Sequence, residues 1–299
     1  MKTRDGQIFR GAATALVTPF RDGGVDFDGL GRLIDRQIDC GIDALVICGT
    51  TGEASTLSEL EHRRVLSFAL ERSGGRIPMI AGTGSNDTSR AIETSRFAAR
   101  IGYDALLVVT PYYNKASEMG LIRHFGAIAD AAQSPIILYN VPTRTCCNIT
   151  LPVYRELAKR EYIVGVKEAS GNISAVAELI AELGGILDIY SGNDDQCLPM
   201  LALGGAGVIS VVSNVIPAEM AALCRAWFAG DVVLGRALHE KYLTLMKAMF
   251  YDVNPIPVKA AMEMMGLCSG ELRLPMCEAR DEVKVRIEGA LRGVTLLEK

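Results

Sequence analysis

The chain is poor in histidine: there are three in 299 residues, at 62, 124 and 239, far apart in sequence. The segment "HEKYL" at 239–243 lacks the second histidine of a zinc-protease helix, so no catalytic metal is expected. Among the eight cysteines, at 40, 48, 146, 147, 197, 224, 268 and 277, there is no C-x-x-C pair, which removes the usual zinc and dithiol readings. They read as reduced, mostly buried small hydrophobes, and nothing nearby makes a redox pair of the adjacent Cys146 and Cys147. Excess positive charge is also missing. The net charge is −4, which gives no electrostatic reason to expect nucleic acid or an anionic membrane as a partner. Every apolar run is broken by glycine or charge before it could span a bilayer, and no basic leader with an apolar stretch opens the chain, so a cytoplasmic protein is expected. The glycine-rich stretches "GTTGE", "AGTGSN" and "LGGAG" match neither a phosphate-binding loop nor a dinucleotide fingerprint, and no organic cofactor is implied. Internal repeats, low-complexity segments and Pro/Ser linkers are likewise absent.

What is present is an ordinary globular composition, 49% apolar and 22% charged, on a chain long enough for a large core. Eight short aliphatic runs recur from the N-terminus onward: 11–17, 44–48, 77–82, 105–109, 135–140, 163–167, 187–191 and 207–212. Helical periodicity fills the gaps. "SELEHRRVLSFALERSG" opens with a capping box, Ser58 and Glu61, and ends on Gly74, while "NDTSRAIETSRFAARIG" starts at a cap placed at Asn86 and stops at Gly102. Strands apolar on both faces and separated by single helices imply a parallel sheet covered by helices. Eight such units fit a closed (β/α)8 TIM barrel better than an open sheet, whose edge strands would be more polar. Beyond 212 only helices follow, at 218–229, 232–250, 256–265 and 278–291. The predicted organisation is a barrel over 1–229 and a C-terminal helical appendage over 230–299 that packs against it.

In such a barrel the chemistry gathers at the carboxyl ends of the strands. That rim receives Thr50 and Thr51 from "GTTGE", Tyr112 and Tyr113 from "TPYYN", Tyr139 and then Arg144 from "YNVPTRT", Lys167 from "IVGVKEASG", "SGND" after the seventh strand, and Ile209 from "GVISVV". Taken singly, each has an ordinary explanation: tyrosine pairs usually pack, and arginines usually lie at the surface. Lys167 is different, because lysine is among the residues least often buried, yet it ends an apolar run. Alternation puts Ile163, Gly165 and Lys167 on one face and Glu168 on the other, so the nearest carboxylate in sequence points away from the amine. If the first set faces inward, Gly165 would clear space below the amine. A free lysine, with a pKa near 10.4, is neutral in fewer than roughly one molecule in a thousand at pH 7, and burial can lower that value by about 3 units. A neutral amine can condense with a ketone to an imine, which acidifies the neighbouring carbon. Such a site needs a proton shuttle, for which the Tyr139 phenol is suited if within hydrogen-bond reach, and donors for a carboxylate, for which Thr50 and Thr51 are suited.

The combination "ATALVTPF", "CGTTGE", "AGTGSN", "TPYYNK", "YNVPTRT", "GVKEASG", "LGGAGVISVVSNV" and "NPIPVK" resembles, nearly end to end, the dihydrodipicolinate synthases of the pyruvate-dependent class I aldolase superfamily, which also contains N-acetylneuraminate lyase. The resemblance implies a lyase of lysine and diaminopimelate biosynthesis that condenses pyruvate with L-aspartate 4-semialdehyde through a lysine Schiff base, giving 4-hydroxy-tetrahydrodipicolinate. It implies that Lys167 forms the Schiff base, that Tyr139 shuttles protons, and that Thr50 and Tyr113 complete the relay, Tyr113 coming from the neighbouring subunit of a tight dimer. By the same resemblance Thr51 holds the pyruvate carboxylate, Gly192 and Ile209 line the site, Arg144 receives the carboxylate of the semialdehyde, and the protein is a homotetramer, a dimer of dimers. Two residues near Arg144 depart from the pattern: Cys146 stands where the family commonly has glycine, and Asn148 where it often has aspartate. Lysine-inhibited members use a set matching Ser55, Glu59, His62, Asn86, Arg90 and Tyr112. Here Glu59 and Arg90 replace a histidine and a glutamate, so feedback by lysine is expected to be weak or absent. The alternatives are a sister aldolase acting on N-acetylneuraminate or a 2-keto-3-deoxy sugar acid, disfavoured by a cation at Arg144, and a non-catalytic sensor of a small carboxylate, disfavoured by the complete reactive set.

Overall fold

The computed structural model describes residues 7–297. Each of the eight aliphatic runs forms a strand. In chain order the strands are β1 (Gly11–Ala15), the two-residue β2 (Phe20–Arg21) and β3 (Gly24–Val25), β4 (Ala44–Ile47), β5 (Met79–Gly82), β6 (Ala105–Val109), β7 (Ile136–Asn140), β8 (Ile163–Glu168), β9 (Asp188–Ser191) and β10 (Gly207–Ser210). All except β2 and β3 close into one barrel, in the order β1, β10, β9, β8, β7, β6, β5, β4. The predicted (β/α)8 architecture is therefore the observed one. Closure explains why nearly every barrel residue is buried: a ring has no edge to expose, and helices cover its outer face.

The hairpin of β2 and β3 was not predicted. Its turn, Asp22 and Gly23, has both residues in the left-handed region, at φ 52° and 77°, as a two-residue hairpin turn of this hand requires. The Asp-Gly dipeptide was the available signal, but two-residue strands are too short to show alternation.

The helices before the sixth barrel strand are α1 (Phe27–Asp39), α2 (Glu59–Ser73), α3 (Thr88–Ile101), α4 (Glu118–Ala132), the short α5 (Pro142–Thr145) and α6 (Leu151–Leu157). They are followed by α7 (Ile173–Leu183), α8 (Cys197–Leu203), α9 (Pro217–Phe228), α10 (Val232–Ala248), α11 (Ile256–Met264) and α12 (Asp281–Gly293). The capping box of α2 forms as read. The Ser58 hydroxyl accepts from Glu61 N at 3.3 Å, and the Glu61 carboxylate accepts from Ser58 N at 2.9 Å. On α3 the cap is Asp87 and not Asn86: the Asp87 carboxylate accepts from Ser89 N at 2.9 Å, and Asn86 instead donates to Asn114 at 3.1 Å. Both residue types cap helices, so their order alone could not decide. Among the described residues, no helix is long and apolar enough to cross a membrane.

Two compact units are distinguishable. The first takes the described residues up to Gly11 with Pro78–Ile209, and the second takes Ala12–Ile77 with the residues from Ser210 onward. In the first, the ladder from β5 through β9 is continuous and parallel, α3 packs on α4 and α4 on α6. Gly207 is indispensable there: a Cβ on it would lie 1.9 Å from the carbonyl oxygen of Gly11, a contact only glycine permits. In the second, β1 pairs with β4, α1 packs on α2, and the C-terminal helices pack as α9 on α10, α10 on α12 and α11 on α12.

Candidate active site

β7 and β8 pair in a register that sets Tyr139 opposite Lys167 and Asn140 opposite Glu168. Their side chains alternate, as a strand demands, so the first pair shares one face and the second the other. Lys167 is 4% exposed, and its Nζ lies 4.4 Å from the centroid of the Tyr139 ring. The amine sits over the face of that ring and makes no hydrogen bond among the described residues. Burial pulls its pKa down from 10.5 to about 8, against the attraction of Asp194 and with a smaller repulsion from Arg144 acting in the same direction as burial.

Glu168 does point away, as alternation predicts. Its carboxylate is buried and accepts from Ser170 N at 2.7 Å, from Asn140 Nδ2 at 3.0 Å and from the Tyr154 hydroxyl of α6 at 3.0 Å. Burial first, and the adjacent Glu168 charge second, raise the Tyr154 pKa well above its ordinary value, so the phenol keeps the proton it donates. This cluster ties the ends of β7 and β8 together one residue past the reactive pair, which fixes Tyr139 against Lys167.

Space around the lysine arises differently from the expectation. A Cβ at Gly165 would meet the Asp188 carbonyl oxygen at 2.7 Å and the Tyr190 ring at 3.5 Å. That glycine therefore admits β9 and the Tyr190 ring, and it does not leave a void beneath the amine. The glycine that makes room for the lysine stem is Gly192, where a Cβ would lie 3.1 Å from Lys167 Cε and 2.6 Å from the Ala169 Cβ. Asp194, the buried carboxylate acting on the amine, opens the 3-10 turn Asp194–Gln196 just after Gly192. The signal for it in the sequence is the carboxylate of "SGND", two residues past a rim glycine.

Arg144 is exposed on α5. That helix is anchored by Thr145, whose hydroxyl accepts from Thr110 at 3.0 Å and donates to the Cys147 carbonyl at 3.0 Å. Cys146 ends α5 in the left-handed region, at φ 52°, the conformation that makes glycine the common choice at such a position. Asn148 accepts from Asn140 at 2.9 Å, which joins this loop to the Glu168 cluster. Ile209 is fully buried in β10. Tyr113, beyond β6, has φ 72° and leaves 89% of its surface exposed, whereas Tyr112 is 37% exposed.

In the second unit, Thr50 and Thr51 occupy the turn after β4, with Thr51 buried. Ser55, Glu59 and His62 also belong to this unit, whereas Asn86, Arg90 and Tyr112 belong to the first. Glu59 is engaged by Arg63 at 2.5 Å one helical turn on.

Residues 8–293 match the model of the dihydrodipicolinate synthetase family. A 4-hydroxy-tetrahydrodipicolinate synthase from Thermoanaerobacter sp. strain X514 is 48% identical over 293 residues, 98% of this chain and 99% of the relative. One from Clostridium perfringens strain SM101 is 46% identical over 290 residues, 97% of this chain and all of the relative. Among solved structures, the chloride-inhibited dihydrodipicolinate synthase of Acinetobacter baumannii complexed with pyruvate superposes with a TM-score of 0.95 at 40% identity, covering 97% of this chain and 100% of that one.

Proposed function

Because the chain belongs to the dihydrodipicolinate synthetase family, we propose that it condenses pyruvate with L-aspartate 4-semialdehyde through an imine on Lys167. The observation that carries this reading is the buried amine of Lys167, without a hydrogen bond among the described residues, whose pKa of about 8 leaves a useful neutral fraction near neutrality. Neutral Nζ attacks the keto carbon, water leaves, and the protonated imine draws electrons from the methyl carbon, which loses a proton to become the nucleophile toward the aldehyde. The amino group of the semialdehyde then displaces Lys167 and closes the ring, so the overall reaction releases one water. Since the amine faces the ring of Tyr139 and not its hydroxyl, the phenol is suited to moving protons on substrate atoms.

The remaining roles rest on the family likeness. Thr50 and Tyr113 complete the relay, Thr51 donates to the pyruvate carboxylate, Gly192 and Ile209 line the site, and Arg144 receives the second carboxylate through its planar fork. The exposure of Tyr113 supports its donation to a neighbouring subunit, within a homotetramer built as a dimer of dimers. Eight cysteines with no C-x-x-C pair suit a reducing cytoplasm. The exposed cation of Arg90 stands where a lysine ammonium needs negative charge, so L-lysine leaves the rate unchanged at sub-millimolar concentration. Half-inhibition in that range would refute this last point.

The test is borohydride reduction with pyruvate present, followed by peptide mass mapping and a comparison of aldehydes. The expected result is a reduced pyruvyl adduct on Lys167 alone and turnover with the semialdehyde but not with N-acetylmannosamine. An adduct elsewhere, or none, would overturn the reading.

A further inference from the structure

We propose that Asn254 is a positioning residue that aims the hydroxyl hydrogen of Thr51 at the carboxylate of the keto acid. The proposal rests on the reading of Thr51 as the carboxylate donor. Asn254 Nδ2 donates to Thr51 Oγ1 at 2.9 Å, across 203 residues of sequence, and both side chains are buried, at 5% and 2% exposure. An amide nitrogen only donates, so the Thr51 oxygen is the acceptor in this bond. Its own hydrogen must point elsewhere, and Thr51 makes no other side-chain hydrogen bond among the described residues. A hydroxyl left alone can rotate and present a lone pair to an incoming anion. One held by an amide N–H is fixed as a donor, which is the polarity a carboxylate requires.

The same turn is fastened a second time from the same stretch of chain. Glu53 ends it in the left-handed region, at φ 53°, and its carboxylate, 3% of the residue being exposed, meets Lys259 Nζ of α11 at 2.5 Å and accepts from Arg273 N at 3.2 Å. Lys259 is fully buried, donates to the Glu271 carbonyl at 2.8 Å and lies 4.2 Å from the centroid of the Phe20 ring. Thr18 in turn donates to the Gly52 carbonyl at 2.7 Å. A turn gripped at the two residues that follow Thr51 holds the hydroxyl where Asn254 can orient it, at no ordering cost when substrate arrives.

Steady-state kinetics on the full-length protein test this with Asn254→Ala, Asn254→Asp, Asn254→Ser, Thr51→Val and the double variant Asn254→Ala/Thr51→Val. Asn254→Ala is expected to raise the KM for pyruvate about tenfold, with the KM for the semialdehyde within about twofold. Asn254→Asp turns the donor into an acceptor that captures the Thr51 hydrogen, and is expected to cost more than Asn254→Ala. Asn254→Ser retains a donor and recovers part of the loss. In the Thr51→Val background Asn254→Ala adds nothing further. Equal shifts in both KM values, additivity with Thr51→Val, or an Asn254→Asp variant as good as Asn254→Ser would overturn the proposal. The Asp and Ser variants decide it if the Ala variant does not fold. Should Thr51→Val itself leave the pyruvate KM unchanged, it is the placement of the carboxylate at Thr51 that fails.

Discussion

Titrating the rate of imine formation with pH tests the physical core of the site. With a pKa of about 8, Lys167 is neutral in roughly one molecule in ten at pH 7, against roughly one in three thousand for an ordinary lysine. The gain in nucleophile is about 300-fold, which corresponds to about 3 kcal/mol of disfavoured charge. The assay is the initial rate of trapping at fixed pyruvate, with reductant in excess so that imine formation limits, scored by mass on the peptide that carries Lys167. Between pH 7 and 9.5 the rate should rise about tenfold and level off; an unperturbed lysine would rise about 300-fold with no plateau. Neighbouring charges supply internal controls. Asp194→Asn removes the attraction that favours the ammonium and should move the midpoint below the wild-type value, whereas Arg144→Ala removes a repulsion and should move it up. The second shift should be the smaller, because Arg144 is solvent-exposed. A rate still climbing at pH 9.5, or charge variants that move the midpoint in the opposite sense, would refute the assignment of the shift to burial.

Further outcomes follow from the same geometry. Lys167→Met should be inactive yet more stable. A lysine whose folded pKa lies below its unfolded one carries its full cost below pH 8 and loses that cost as pH rises from 8 towards 10.5. The variant should therefore exceed wild type by up to about 3 kcal/mol at pH 7 in urea unfolding, with the margin closing as pH rises. A pH-independent difference would contradict this account. Glu168→Gln puts an amide donor among three donors, Asn140, Tyr154 and Ser170 N, and should lose about 1–3 kcal/mol of stability as well as trapping rate. Calorimetry showing an unchanged melting temperature would count against that cluster. Gly192→Ala forces a methyl against Ala169 and the lysine stem, so it should slow imine trapping more than tenfold and destabilise by about 1–3 kcal/mol. A crystal structure of that variant with Lys167 unmoved and full trapping would show that the space is not needed.

Much of this protein was legible in one dimension. Eight aliphatic runs with helices between them are apolar on both faces, and a parallel sheet covered on both sides is the arrangement that satisfies such strands. Strand alternation alone separated Lys167 from Glu168, because that periodicity is local and survives any packing. Other features were decided only by the tertiary structure. Gly165 and Gly192 look alike in sequence, yet one admits the Tyr190 ring and the other the stem of Lys167, since what a missing Cβ makes room for depends on chain segments brought alongside. The depressed pKa needs the burial of Lys167 and the charge of Asp194, 27 residues further along the sequence, and the hold of Asn254 on Thr51 spans 203 residues. Burial, electrostatic field and hydrogen-bond polarity depend on distance in space, and the chain order states only which residue types are available to supply them.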